Sequence, residues 1–300
     1  MEGTSTPKQH KAGFVNIIGN PNVGKSTLMN ALVGEKLCIV TAKAQTTRHR
    51  IMGIVNTDDC QIVYSDTPGI LKPSYRLQKN MLSYVDTAIG DADIILYVTD
   101  TVEQADKNAE YIDKLSRVEC PVILVINKID ISDQEKVTSL MQWWSEKLPK
   151  AEIFPVSARE RFNLENVFQA VLKHLPVAPP WYDKDTFTDR NLRFFASEII
   201  REKILLGYGQ EIPYCCEVVV ESFKEGEERY EIGAVIYVMR DSQKGILIGK
   251  GGTALKKLGT EARLEMEDFF QKKVFLSLFV KVDENWRESR RELRKFGYED

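Results

Sequence analysis

Three groups of side chains fall at spacings that matter for phosphate chemistry: a lysine followed by hydroxyls, an aspartate at a strand end, and an Asn-Lys-x-Asp set. The first lies in Gly19-Asn20-Pro21-Asn22-Val23-Gly24-Lys25-Ser26-Thr27, which fits G-x-x-x-x-G-K-[ST] between the apolar run FVNII and the helical stretch LMNALV. Glycines let such a loop turn its backbone N–H groups inward onto phosphate oxygens, and the helix opening near Gly24 adds the positive end of its dipole. Lys25 would neutralise the β and γ phosphates, and Ser26 would offer a hydroxyl to Mg²⁺. A turn that only reverses direction needs neither the lysine nor the hydroxyls, and chance yields the pattern about once per hundred chains of this length.

Asp66-Thr67-Pro68-Gly69 is uninformative alone, since D-x-x-G arises about once by chance in a chain this size. Its position gives it meaning. Asp66 ends the third expected strand on the side of the phosphate loop, where its carboxylate can hold Mg²⁺ through water and the Gly69 N–H can reach the γ-phosphate. Asn127-Lys128-Ile129-Asp130 follows the fifth strand. A carboxylate there accepts from the N1–H and 2-amino group of guanine, donors that adenine lacks, so Asp130 selects GTP over ATP. Asn127 can bond the base or brace neighbouring loops, and the Lys128 stem can lie across the ring. Ser157-Ala158 ends the sixth strand and could present a backbone N–H to the guanine oxygen, a weak signal by itself. In the stretch TAKAQTTRHR, Thr46 and Thr47 are both candidates to complete the Mg²⁺ shell when a γ-phosphate is present, with Thr47 narrowly preferred. Lys25, Thr47 and Gly69 are then the groups placed to act on the transferring phosphate.

These motifs need a scaffold, and the hydrophobic pattern supplies one. Up to about Leu175, β-branched runs (FVNIIG, IMGIVN, QIVYSD, IILYVTD, PVILVIN, AEIFPVS) alternate with amphipathic stretches, which predicts an α/β domain with a mostly parallel sheet covered on both faces. LPVAPPWYDKDTFTD breaks that rhythm and reads as a linker. Beyond it the order is helix, strand, strand, helix, strand, an α+β domain. The expected boundaries are a frayed start at 1–10, the first domain at 11–176, a linker at 177–189, the second domain at 190–285 and a charged helix at 286–300. The last reads either as a solvated face or as an RNA flank. Trp143-Trp144 reads as packing, and His10, His49 and His174 are too scattered for a metal site.

The 300 residues are enough for two domains, and 43% hydrophobic with 28% charged residues is ordinary globular composition. No apolar run has the length of a membrane span, and Met1–Lys11 lacks a signal-peptide core. Five cysteines with no C-x-x-C pair argue against a disulfide framework or zinc site and fit a reducing cytoplasm. A net charge of −3 excludes a globally basic nucleic-acid binder, so any such site must be a local patch. One candidate patch is Gly249-Lys250-Gly251-Gly252, which follows Ile248 between two helical stretches, with Lys244, Lys250, Lys256 and Lys257 around it.

Taken in order, Gly19–Ser26, QTTRH, DTPG, NKID and VSA resemble the translation-factor-related GTPases, and with the tail the chain resembles the Era family. The tail's REKILLGYGQEIPY and GILIGKGGTALKKLG look like the KH domain that ends Era proteins. The resemblance covers nearly all residues after Lys11. It implies Mg²⁺-dependent hydrolysis of GTP to GDP without a covalent intermediate. It also implies a G-x-x-G loop that lets an RNA backbone approach while bases enter an apolar groove. The implied client is the 3′ end of small-subunit ribosomal RNA during 30S maturation, with a monomeric cytoplasmic protein in peripheral contact with the inner membrane surface. Asn20 departs from the basic residue common in the family. Asn22 matches a group of GTPases that hold K⁺ at this loop position, although an asparagine also stabilises turns on its own. Ile70 stands where many GTPases place a water-orienting glutamine, which implies a slow enzyme that acts as a switch. It also leaves open an RNA-binding assembly protein that uses GTP only as a conformational ligand.

Overall fold

A computed structural model describes residues 9–104 and 107–298. Contacts divide it into two compact units. One holds the chain up to Cys38 with Thr47–Lys72 and Met81–Asp189; the other holds Ile39–Thr46, Pro73–Asn80 and the chain from Arg190 onward.

The first unit is the expected α/β layer structure. Its strands are β1 Lys11–Gly19, β2 Ile51–Asn56, β3 Cys60–Asp66, β4 Ile94–Asp100, β5 Val122–Asn127 and β6 Glu152–Pro155. They are joined by α1 Lys25–Val33, α2 Arg76–Gly90 (of which the part from Met81 onward belongs to this unit), α3 Ala109–Arg117, α4 Gln134–Lys147 and α5 Leu164–His174. The sheet order is β2-β3-β1-β4-β5-β6, and only β2 runs antiparallel to its neighbour. Every residue of β3 and β4 is buried, as a strand covered by helices on both faces requires. Helix ends follow local chemistry: the Asp133 carboxylate caps α4 by accepting from the Lys136 N–H at 2.8 Å. Trp144 is fully buried against Tyr97, with Trp143 edge-on to it at 4.8 Å, so the tryptophan pair is packing. The parallel order leaves the C-terminal ends of β1, β3, β4, β5 and β6 along one edge of the sheet, where open α/β sheets bind ligands.

Two segments differ from their sequence-based expectations. Residues 1–8 of the expected frayed start lie outside the described residues, but His10 is held: its Nδ1 donates to the Ala178 carbonyl at 2.9 Å and its own carbonyl accepts from Ala178 N–H. The expected linker at 177–189 lies along β2. Gly53 bridges Thr188, the Ile54 N–H donates to the Phe187 carbonyl at 2.9 Å, and Gln61 Oε1 accepts from the Trp181 and Tyr182 N–H groups. β2 is an edge strand whose free backbone groups need partners, and the irregular proline-rich segment supplies them.

The second unit contains α6 Leu192–Gly207, α7 Ile212–Cys215, β7 Glu217–Glu225, β8 Arg229–Val238, α8 Asp241–Ile248, α9 Thr253–Phe270, β9 Lys273–Val282 and α10 Arg290–Lys295. β7 and β8 pair antiparallel, and β9 joins β8 in parallel as an edge strand. Ile200, Ile204, Ile232, Ile236, Leu258 and Met266 are among the residues that form the core between the sheet and its helices. The tail, read as a charged helix with either a solvated face or an RNA flank, is pinned to this unit by its apolar residues. Trp286 and Leu293 are fully buried, Tyr298 is nearly so, and the Trp286 indole N–H donates to the Cys215 carbonyl at 3.1 Å. Its charges mask a hydrophobic spacing that one short turn of helix is enough to bury.

Candidate functional site

The loop Gly19–Gly24 joins β1 to α1, as its motif demands. Gly24 has φ 96, and a Cβ there would lie 2.2 Å from Asn127 Nδ2, so only glycine fits. Asn22 also has positive φ (67), which asparagine tolerates; its side chain is exposed and its carbonyl accepts from Lys128 Nζ at 2.6 Å. Val23 is buried beneath the loop, with Pro21 half-buried, and Thr27 follows in the first turn of α1. Lys25 is buried, with Nζ donating to the Asn20 carbonyl at 2.8 Å. Burial pulls its pKa down to about 8 despite the nearby Asp66 and Glu103 carboxylates. Asn20 is buried too. Its side-chain amide donates to Glu103 Oε2 at 2.6 Å, which makes it a brace for the loop and leaves the cradling to the backbone.

Ser26, Thr47 and Asp66 converge. Ser26 Oγ donates to Asp66 Oδ2 at 2.6 Å, Thr47 Oγ1 donates to the same oxygen at 3.0 Å, and the two hydroxyls are 2.8 Å apart. Asp66 is fully buried, which raises its pKa, with Lys25 the strongest opposing influence. Among the described residues, its buried Oδ1 accepts from no N–H or O–H group; besides Ser26 and Thr47, the other side-chain donor favouring its charge is the weakly donating Cys38 thiol. Thr46 goes elsewhere: its hydroxyl donates to the Lys43 carbonyl at 2.7 Å and meets Thr41. Of the two threonines, Thr47 is the one brought to Ser26 and Asp66. Thr67 Oγ1 donates to the Ile17 carbonyl at 2.8 Å, and Pro68 is buried beside it. Gly69 lies so close to the phosphate loop that a Cβ would meet Pro21 backbone atoms at 2.7 Å. Ile70 N–H donates to the Gly19 carbonyl at 3.1 Å, and the Ile70 side chain is buried in the core.

The remaining loops meet at the ends of β5 and β6. Asn127 Nδ2 donates to the Val23 carbonyl at 2.9 Å while its Oδ1 accepts from Ala158 N–H at 3.0 Å, so Asn127 ties the phosphate loop to the Ser157 loop. Asp130 is exposed, and its Oδ1 accepts from Ser157 Oγ at 2.7 Å. Lys128 is paired at 2.5 Å with Asp100, which the strand register sets beside Asn127. Asp100 and Glu103 escaped the sequence reading because they match no motif. The one available signal was a carboxylate closing β4 on the same sheet edge.

In the second unit, Gly249, Gly251 and Gly252 all have positive φ (71, 60 and 79) between α8 and α9. A Cβ on Gly249 would meet Ala254 at 2.6 Å, whereas Gly251 and Gly252 face open space. Beside the loop is a groove of about 390 Å³, lined in part by Leu255, Lys256, Gly259, Arg263, Leu276 and Leu278. Lys250, Lys256 and Lys257 are exposed, while Lys244 and Ile248 are half-buried on α8. Among the predicted lysines, Lys256 is the one that lines the groove. Arg263, Leu276 and Leu278 were not foreseen, because they come from a later turn of α9 and from β9.

Fold and site define a P-loop nucleotide-binding domain followed by a KH-type α+β domain. Family profiles agree: one described as "50S ribosome-binding GTPase" matches residues 14–128, and one described as "KH domain" matches 211–287. GTPase Era of Geotalea daltonii is 44% identical over 296 residues, covering 98% of this chain and 100% of its own. The chloroplastic GTPase ERA1 of Zea mays is 42% identical over 301 residues, covering 99% of this chain and 72% of its own. Two solved structures superpose with TM-scores of 0.92, each covering 96% of this chain and 99% of its own. They are a point variant of Aquifex aeolicus Era bound to GDP·AlF4⁻ (38% identical) and Era with MgGDPNP and nucleotides 1506–1542 of 16S ribosomal RNA (39%). The chain belongs to the Era family of GTPases.

Proposed function

We propose that this protein hydrolyses Mg²⁺–GTP and binds the 3′ end of small-subunit ribosomal RNA through its KH domain, acting as a switch in 30S subunit assembly. The observation that carries the nucleotide half is the convergence of two hydroxyls on one buried carboxylate behind a phosphate loop. A buried carboxylate whose second oxygen has no N–H or O–H donor among the described residues fits a divalent cation. Ser26 and Thr47 would hold Mg²⁺ directly and Asp66 through water; when bound, the metal neutralises charge developing on the β and γ oxygens. Lys25 would exchange the Asn20 carbonyl for phosphate oxygens, the Gly19–Gly24 amides would cradle them, and the Gly69 N–H would meet the γ-phosphate. Asp130 reads guanine while Asn127, Lys128, Ser157 and Ala158 shape its pocket. Asn22, exposed at the loop's crest, is offered as a K⁺ ligand.

The RNA half rests on the groove beside Gly249–Gly252, whose leucines take bases while Lys256 and Arg263 meet phosphates, and on the Era complex solved with 16S ribosomal RNA. Lys244, Ile248, Lys250 and Lys257 frame it. A monomeric, cytoplasmic protein with peripheral contact to the inner membrane surface completes the reading on family resemblance; among the described residues no helix is long and apolar enough to cross a membrane. Asp130→Asn tests the central assignment. GTP affinity should fall by roughly a hundredfold, from loss of a charged bidentate pair, while xanthosine triphosphate gains. Unchanged GTP affinity removes the assignment.

A further inference from the structure

We infer that the outer face of the second unit's sheet is a further contact for single-stranded RNA, with Phe275 and Phe279 stacking unpaired bases and the basic C-terminal segment holding phosphates. This rests on the RNA-binding reading above and extends it to the opposite side of the same edge strand.

Strand β9 alternates faces. Val274, Leu276, Leu278, Val280 and Val282 pack toward the helices, which leaves Lys273, Phe275, Ser277, Phe279 and Lys281 on the other side. Part of that outer face is closed, because Tyr237 is buried with its ring 5.1 Å from Phe296, which in turn packs on Trp286. The rest is open: Phe275 is 53% exposed and Phe279 61%. Four residues apart on a strand, the two rings stand about 13 Å from each other, so each can take its own base. Ser277 between them breaks the surface into separate platforms. A lipid surface or a second copy of the chain would call for a continuous apolar patch.

Cations border the rings. The Arg229 guanidinium lies 5.7 Å from the Phe275 ring, and Lys281, two positions beyond Phe279, shares the Tyr237 ring with Lys295 at 6.0 and 5.1 Å. Lys295 belongs to α10, whose sequence RRELRK carries four cations and one carboxylate and lines an open recess with Arg290, Arg291 and Arg294. Glu231, Glu221 and Glu292 pair with Arg229, Lys281 and Lys295; the first two pairs are exposed on both sides and the third on its lysine side, so the cations can exchange these contacts for phosphate. Aromatic platforms interleaved with cations are what a single strand uses without base reading. Leu276 and Leu278 line the groove on the helix side of the same edge strand, so a single strand that passes round that edge would meet the two rings.

The test uses the full chain with two unpaired RNAs: one of roughly six nucleotides that fills the groove, and one of roughly twenty with the same nucleotides at its centre. Phe275→Ala/Phe279→Ala should weaken the longer RNA by about tenfold per ring and leave the shorter unchanged. Phe275→Leu/Phe279→Leu, which keeps the strand's apolar character, should show the same loss; Phe275→Tyr/Phe279→Trp should restore binding. Gly251→Asp should abolish both affinities, and if it abolishes neither, the groove reading falls independently of this one. Unchanged binding of the longer RNA by the folded leucine pair overturns the inference. So does a loss confined to anionic vesicles or to self-association.

Discussion

Lys25 offers a test whose direction is counterintuitive: removing the most important lysine of the nucleotide site should stabilise the nucleotide-free protein. Burial lowers its pKa from 10.5 to about 8, so holding it charged in the fold costs free energy. The cost is complete below pH 8, where both folded and unfolded states are protonated. It declines as pH rises from 8 to 10.5, where the unfolded chain still binds the proton that the folded one has released. That lowering corresponds to roughly 3 kcal/mol at pH 7, and by pH 9.5 the same linkage leaves less than half of it. Lys25→Met keeps the stem and removes the charge. It also removes one hydrogen bond to the Asn20 carbonyl, worth about 1 kcal/mol net. The variant should therefore gain about 2 kcal/mol at pH 7, and that gain should shrink by about 2 kcal/mol by pH 9.5.

The assay is denaturant unfolding of nucleotide-free protein at both pH values, followed by tryptophan fluorescence in a background where Trp286 of the second unit is replaced by Phe, so that Trp144 in the first unit's core is the main buried reporter. GTP binding by the variant should be lost in parallel. A variant less stable than the parent at pH 7, or an advantage that does not shrink with pH, would refute the argument that the lysine is held at a cost and released by phosphate.

Three other outcomes follow from the same geometry. Gly69→Ala forces a Cβ against the Pro21 backbone and should push the Asp66–Gly69 turn outward, slowing hydrolysis at least tenfold with GDP affinity nearly kept; a normal rate in steady-state phosphate release removes the close-approach argument. Replacing K⁺ by Na⁺ at matched ionic strength should slow hydrolysis, and Asn22→Ala should erase the difference; equal rates in the two salts for the parent exclude the K⁺ ligand. Ile70→Gln should not accelerate hydrolysis, because the side chain is 3% exposed in an apolar cluster, where an unpartnered amide costs about 2 kcal/mol or more. A faster, equally stable variant would show that the turn can present this side chain to water.

Motifs made from neighbouring residues were legible in the sequence, because their chemistry is local. Gly19–Ser26, Asp66–Gly69 and Asn127–Asp130 each end a strand whose apolar run announces it, and the sheet brings those ends together. The choice between Thr46 and Thr47 was not legible, since adjacent hydroxyls differ only in where the loop turns; Asp66 Oδ2 receives Thr47. The Asn20–Glu103 and Lys128–Asp100 pairs were hidden for a different reason. They join residues 83 and 28 positions apart, and no spacing rule spans such distances. The segment 177–189 reads as a linker, but its bonds to β2 and Gln61 were not legible, because prolines signal irregular backbone without saying what that backbone bonds to. In the tail, the charges of RESRRELRK outvoted Trp286, Leu293, Phe296 and Tyr298, which anchor it.

Ile70 joins these observations into one view of the enzyme. Its N–H is tied to the Gly19 carbonyl and its side chain is locked in the core, so the chain after Gly69 is anchored at the first residue that could have reached an attacking water. Charge stabilisation would still come from Lys25, the loop amides and a cation that Ser26, Thr47 and Asp66 would hold, and in phosphoryl transfer that is the larger contribution. Orientation of the water is the missing part. On the function proposed above, a site built in this way would turn GTP over slowly. Its lifetime in the GTP state is then set by whatever supplies that orientation from outside the loop, which is the behaviour required of a switch rather than of a metabolic catalyst.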